Sequence, residues 1–392
     1  MGSSRKIEYS ELDVRGFSPA SIGEQWVKRS DLGDIYEKVV AGSRLSREDG
    51  VRLFETQDLL ALGFMANLVR ERLHGQDTYW VFNQHINYSN ICANDCSFCA
   101  FSRSPGEQGG FVLTVEEVAA KARERLHEPI TEYHVVGGCH PGLPLSYYVD
   151  LVREIKQVRP EALIKAFTTV EIAHMAQEAK LSVSEVLTEL ADAGVVALPG
   201  GGAEVFSHRI RQLLCPEKLS SEGWLEIAKE AHKLGIRSNA TLLYGHLETP
   251  AERVDHLLAL RQAQDETGGF ITFIPLAFQP SNTGLSHLSA RTGFTDLKTI
   301  AVARLLLDNF PHIKAYWIML GVKMAQVALY FGADDLDGTV MEEQIGHMAG
   351  ASSAEALTPN ELEALIRAAG RRPVERDTFF RPVRPRADTK TR

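Results

Sequence analysis

The chain has little cysteine: five in 392 residues, three of them within a single eight-residue stretch. A disulfide framework needs paired cysteines spread along a short chain, so this distribution excludes a cross-linked secreted scaffold and fits a reducing compartment. No unbroken apolar segment of about 18 residues occurs, and the first residues lack the apolar core of a secretion signal, which argues against a helical membrane span and against export. There is no long basic run either. With 42 basic against 51 acidic residues the net charge is -9, which offers a phosphate backbone no footprint. The expectation is a cytoplasmic globular protein without a nucleic-acid or membrane partner. At 44% hydrophobic and 24% charged residues, the chain can bury a large core as one long barrel domain or two ordinary ones.

What is there is concentrated between Asn87 and Arg103, where Cys92, Cys96 and Cys99 stand in C-x3-C-x2-C spacing after an apolar, strand-like run ending near Ile86. A loop of that length can curl three thiolates toward one point. Clusters and structural zinc sites normally take four protein ligands, so three is an incomplete set. A [4Fe–4S] cluster held this way leaves one iron open to a small molecule. Two blander readings stand beside it: structural zinc with a distant fourth ligand such as Cys139 or Cys215, or three unligated thiols in a loop. Zinc more often uses paired C-x2-C units, and thiols rarely gather three deep without a metal. Cys139 and Cys215 otherwise read as ordinary buried thiols.

The opening residues, Met1 to about Gly16, are polar and expected to fray. From Ile22 to about Leu73 the pattern is helical, with Ser46 as N-cap and Asp49 at the third helical position, and its leucine-rich face reads as packing against the main domain. From about Trp80 short β-rich runs alternate with helical stretches. Strands are expected at Trp80–Ile86, Glu132–Val136, Leu163–Thr168, Val195–Leu198, Arg237–Leu243, Phe270–Leu276, Ile313–Ile318 and, more weakly, near Asp337–Met341. Capping boxes begin at Thr114 and Ser182, and Thr249-Pro250-Ala251-Glu252 adds proline at the first helical position. This alternation implies an α/β fold of parallel strands with crossover helices, favouring a closed (β/α)8 barrel of TIM type with a partial six-unit barrel as rival. A doubly wound open sheet fits less well, since no Gly-x-Gly-x-x-Gly turn follows the first strand. The expected division is a helical leader over 1–79, the barrel over 80–342, and a helical extension and tail over 343–392.

In such barrels chemistry collects on the loops after the strands. The cysteine loop follows the first strand. Gly137-Gly138-Cys139-His140 follows the second, Thr168-Thr169 with Glu171 the third, Pro199-Gly200-Gly201-Gly202-Ala203-Glu204 the fourth, and Tyr244-Gly245-His246 the fifth. Asn282 and the Tyr316, Trp317 and Met319 group follow later strands. The glycines let backbone approach a ligand closely, and Glu204 beyond them can bind an ammonium or ribose hydroxyls. Arg209 and Arg211, on the next helix, can answer a carboxylate. His140 and His246 can orient or protonate a substrate, whereas His85 and His134 lie within strands, where a core role is as good a reading. Asp334-Asp335-Leu336-Asp337-Gly338-Thr339 lacks the remaining ligands of an EF-hand and reads as the loop entering the eighth strand.

The cysteine spacing, with Phe98 before Cys99, resembles the signature of radical S-adenosylmethionine (SAM) enzymes, in which SAM chelates the open iron. The stretches Pro199–Glu204, Thr241–His246, Gln264–Phe270, Phe273–Phe278, His312–Trp317, Asp335–Thr339 and Val374–Thr378 look like the aminofutalosine synthase family of the futalosine route to menaquinone. The similarity spans about Trp80 to Phe380. It implies a radical SAM barrel with Cys92, Cys96 and Cys99 on a [4Fe–4S] cluster, and SAM, a consumed co-substrate, held among Phe98, Gly137, Gly138, Thr168, Gly201, Glu204, Arg209 and Arg211. Reductive cleavage of SAM, fed by a one-electron donor such as flavodoxin or ferredoxin, would supply a 5′-deoxyadenosyl radical. The resemblance implies its addition to the enolpyruvyl double bond of 3-[(1-carboxyvinyl)oxy]benzoate, giving 6-amino-6-deoxyfutalosine, methionine and bicarbonate or CO2. Related enzymes, dehypoxanthine futalosine cyclase and the synthases of the deazaflavin precursor, share the motif, and outside the class a non-catalytic Fe–S or zinc redox sensor is the alternative. Radical addition needs no general base, so neither His140 nor His246, the two catalytic candidates, is assigned as essential. The substrate's two carboxylates call for cationic or hydrogen-bonding groups, for which His140, His246, Thr168, Asn282 and an arginine are candidates.

Overall fold

The computed structural model describes residues 19–289 and 291–383; the expected frayed opening segment lies outside the described residues. Four helices lead: α1 (Pro19–Arg29), α2 (Gly33–Ala41), α3 (Arg47–Glu55) and α4 (Leu59–His74). Ser46 caps α3 as expected and forms a capping box with Asp49, a cap of about 1 kcal/mol.

Ten strands follow: β1 (Asp77–Val81), β2 (Asn83–Ile86), β3 (Glu132–Val135), β4 (Leu163–Ala166), β5 (Val195–Leu198), β6 (Arg237–Tyr244), β7 (Phe270–Ala277), β8 (His312–Ile313), β9 (Asp335–Gly338) and β10 (Arg372–Arg376). Between and after them run α5 (Val115–Glu124), α6 (Leu145–Val158), α7 (Thr169–Ala179), α8 (Val183–Ala193), α9 (His208–Leu214), α10 (Ser221–Lys233), α11 (Pro250–Thr267), α12 (Gly293–Leu306), α13 (Trp317–Leu320), α14 (Val322–Ala328), α15 (Ile345–Met348) and α16 (Pro359–Ala368). β2 to β8 form one parallel sheet in sequence order, the arrangement that crossover helices impose. Its two ends are joined through β9, which pairs with β1 and bridges at Lys314–Asp335, while Gln84 bridges to Met341. The parallel strands curl into a partial barrel of TIM type, split between a seven-stranded and a three-stranded sheet, and the capping boxes at Thr114, Ser182 and Thr249 all form.

The strand expected over Ile313–Ile318 is corrected. Only His312–Ile313 is strand, because after Lys314 the chain turns from β7 to β9, and Tyr316 accepts the backbone N–H groups of Met319 and Leu320 to open a helical turn. Asp335–Gly338, read as a loop entering a strand, is itself that strand. The segment expected to be a helical extension also contains β10, which pairs in parallel with β1. The leader lies along the α11 and α12 side: a side chain at Gly50 would meet Leu306 and Val254 at 2.9 and 3.0 Å. β1 starts at Asp77, and Glu343, Ile345 and Ala349 line the central cavity.

Candidate active site

A cavity of about 290 Å³ opens at the C-terminal ends of the strands. Cys92, Cys96, Cys99 and Phe98 line it from the loop after β2, Gly137 and Gly138 from the loop after β3, Thr168 and Glu171 from the start of α7, and Gly201, Gly202 and Glu204 from the loop after β5. Val136, Leu243, Ile274, Leu276 and Phe278 give it apolar walls.

The cysteine loop is held by backbone contacts. The Ala93 amide donates to the Cys139 carbonyl at 2.8 Å, the Ser97 amide to the Leu214 carbonyl at 2.9 Å, and the Cys99 amide to the Cys96 carbonyl at 3.0 Å. Gly138 is required by this docking, since a side chain there would meet the Ile91 carbonyl oxygen at 2.2 Å. The same contacts bring in Cys139 and Cys215, read from sequence as a distant fourth zinc ligand or as ordinary buried thiols. The Cys139 thiol donates toward Cys92 and pulls it down to about 5; Cys96 donates toward Cys215 and, buried as well, is pushed up. The Ser102 amide donates to the Cys99 sulfur at 3.4 Å.

The three loop thiols fit a cluster better than a single ion. Tetrahedral zinc with bonds of about 2.3 Å needs sulfurs about 3.8 Å apart. Among the described residues, the one trio of His, Cys, Asp or Glu with all ligand atoms within 4.8 Å is His74, His312 and Asp334, none of which lines this cavity; the three loop thiols do not gather that tightly.

The loop after β5 is pinned from three sides. Thr241 donates to the Gly200 carbonyl at 2.8 Å, Trp224 to that of Gly201 at 3.1 Å, and Arg211 to that of Ala203 at 2.9 Å. Gly200 and Gly202 both have φ of 85°, and Glu204, though not glycine, takes φ of 49°, a strain that persists where surroundings impose it. Lys218 ion-pairs with Glu204 at 2.7 Å, its ammonium 5.4 Å from the Phe98 ring centre. Burial disfavours that charge, but the Glu204 carboxylate raises the lysine well above its usual range. Glu171 ties three loops together: it accepts from the Tyr88 hydroxyl at 2.6 Å, the Gly137 amide at 3.1 Å and the Thr168 amide at 2.7 Å. Burial raises its carboxyl to about 7 against the pull of those donors.

Five expected site residues lie outside the lining. Arg209 is exposed and bound to Glu252 at 2.7 Å, and Arg211 is buried with its guanidinium spent on backbone carbonyls. His246 is enclosed between the Leu243 carbonyl at 3.0 Å and Glu248 at 3.0 Å. His140 gives its carbonyl to His174 at 2.9 Å, while its Nδ1 is buried without a partner. Asn282 is exposed, donating to the Met348 carbonyl at 3.0 Å. Sequence reasoning missed Lys218, Lys314 and Glu343. Lys218 could have been sought as the partner a buried Glu204 demands, since a lone buried charge is costly; Lys314 stood within the quoted His312–Trp317 stretch.

Two family models divide the chain: the radical SAM superfamily matches residues 86–260, and the CofH/MqnC C-terminal region matches 267–387. The chain is 51% identical to the aminodeoxyfutalosine synthase of Thermus thermophilus over 89% of this chain and 95% of that one. It is 44% identical to the aminodeoxyfutalosine synthase of Streptomyces coelicolor over 90% and 94%. It is also 42% identical, over 89% and 97%, to a 5-amino-6-(D-ribitylamino)uracil–L-tyrosine 4-hydroxyphenyl transferase of Methanoculleus marisnigri. Among solved structures, methylornithine synthase superposes with a TM-score of 0.67 at 19% identity, covering 87% of this chain and 97% of that one. The hydrogenase maturase HydG gives 0.70 at 19%, covering 91% and 79%. At such identities these establish the barrel alone.

Proposed function

The chain belongs to the aminodeoxyfutalosine synthase family of radical SAM enzymes, and from that premise we propose that it joins the 5′-deoxyadenosyl group of SAM to 3-[(1-carboxyvinyl)oxy]benzoate, yielding 6-amino-6-deoxyfutalosine, methionine and bicarbonate or CO2. The observation that carries this reading is the convergence of the three-thiol loop, the glycine-rich loops and the Glu204–Lys218 pair on one apolar-walled cavity. The family's [4Fe–4S] cluster, when bound, supplies the electron that cleaves SAM.

Cys92, Cys96 and Cys99 are the residues that would hold the cluster. The Gly137-Gly138 turn, fixed by Glu171, offers backbone groups to the amino-acid end of SAM. Thr168, Gly201 and Glu204 stand where its ribose and ammonium can be answered, with Lys218 setting the orientation of the Glu204 carboxylate. Leu243, Ile274, Leu276 and Phe278 exclude water and stray hydrogen donors from the reacting carbon. A flavodoxin- or ferredoxin-type protein is the proposed electron donor, and the leader, barrel and extension remain the proposed divisions.

The transferase relative at 42% identity supports a second reading, transfer of a 4-hydroxyphenyl group from tyrosine to 5-amino-6-(D-ribitylamino)uracil. One anaerobic experiment separates them: the reconstituted, reduced protein is given SAM and each substrate set, and products are followed by mass spectrometry. An adenosylated product from the benzoate supports the proposal. Free 5′-deoxyadenosine with a tyrosine-derived adduct selects the second reading, and an intact reduced cluster that leaves SAM uncleaved overturns both.

A further inference from the structure

At the deep end of the cavity, two residues read from sequence as core histidines are placed in a way that packing alone does not explain. His85 on β2 and His134 on β3 are register partners in parallel strands, so both side chains point into the barrel at one level. Their rings stack at 4.3 Å, only 6° from parallel, and both line the cavity. His85 is 5% exposed and its Nε2 is buried without a hydrogen-bond partner. Buried polar atoms are nearly always paired, so His85, which lines the cavity, carries a nitrogen that the chain leaves unanswered.

The surroundings fix the kind of atom. Lys314, 2% exposed, lines the cavity at the same end and holds Asp337 at 2.7 Å. Lys165 is the register partner of His134 and is bound to Glu132 at 2.7 Å. Burial and these neighbouring ammonium groups hold the His134 ring neutral, so each imidazole offers an N–H donor rather than a charge. Two neutral donors beside an ammonium suit an oxygen anion. His134 stands within β3, ahead of the Gly137-Gly138 turn against which the cysteine loop docks. A substrate whose double bond faces the loop would therefore send its far end here.

We infer that the His85–His134 pair and Lys314 bind the ring carboxylate of the substrate and so determine which aromatic acid the barrel accepts. This rests on the proposed function, since it is that substrate which carries a carboxylate at the end remote from the double bond. The pair is a specificity device: it touches neither the cluster nor the reacting carbon.

The test is equilibrium dialysis of unreduced protein loaded with cluster and SAM, using 3-[(1-carboxyvinyl)oxy]benzoate and its ring methyl ester as probes. Wild type should bind the acid at least tenfold more tightly than the ester. His85→Phe and His134→Phe, which keep a stacked ring but lose its nitrogens, should lose that preference with iron content and SAM binding unchanged. Equal binding of acid and ester by wild type overturns the inference without any variant. Wild-type acid preference in both folded variants also overturns it, and wild-type production of the adenosylated product would then show that the proposed function stands. If wild type neither binds nor converts the acid, the proposed function fails and the inference falls with it.

Discussion

The two ends of the barrel are built on opposite principles. At the closed end, where the strands begin, buried charges are matched. Lys165 meets Glu132, whose second oxygen accepts from Thr378 at 2.8 Å, while Arg376 binds Asp335 and Arg304 binds Asp334. At the open end sit loop thiols whose side-chain partners are other thiols, Cys139 for Cys92 and Cys215 for Cys96. Low dielectric makes unmatched groups costly. The closed end removes that cost and serves stability; the open end leaves groups for ligands to satisfy.

Breaking the open end should abolish function and spare the fold. Cys92→Ala, Cys96→Ala or Cys99→Ala should each lose the cluster and all product formation, read as iron content, visible absorbance and turnover; a full cluster with normal turnover in any one would remove that residue from the ligand set. Breaking the closed end should do the reverse. Glu132→Ala leaves Lys165 buried without its partner, and unfolding in urea should show a loss of about 3–5 kcal/mol.

Glu171 sharpens the contrast, being a buried acid at the open end. Its carboxyl titrates near 7 in the folded chain, above the ordinary glutamate value of about 4.3. The folded state therefore holds the proton more tightly, and this contribution is full below about pH 4 and is lost as pH rises through 7. The size is on the order of 3 kcal/mol, measured as the pH slope of unfolding free energy, which Glu171→Gln should flatten between pH 5 and 8.

Glu204→Gln should weaken SAM use about tenfold, or about 1.4 kcal/mol, with the cluster intact; unchanged SAM affinity and rate would take Glu204 out of the site. The smallest effect belongs to Arg209→Ala. Its exposed pair with Glu252 is screened by solvent and salt, so SAM binding and melting temperature should match wild type.

Much of this arrangement was legible in the chain. Strand and helix alternation announced the barrel because parallel strands need crossover helices, and capping boxes marked helix starts because they satisfy orphan amides locally. The misreadings share a cause. Ile313–Ile318 has strand composition, but its partner changes from β7 to β9 within it, and no local pattern carries that switch. Arg209 and Arg211 are equally plausible anion ligands by spacing, yet one turns to solvent and the other is consumed by loop carbonyls.

The sequence by itself pointed to the metal chemistry, since three thiols within eight residues can curl toward one point. It also determined the barrel, because periodicity and caps are local. Only the tertiary structure decided which distant residues meet at the cavity: Cys139 and Cys215 beside the loop thiols, Lys218 against Glu204, and the stacked His85 and His134 with Lys314. Those pairings depend on strand register and loop docking, which arise from the collective packing of the sheets and are written in no single stretch of the chain.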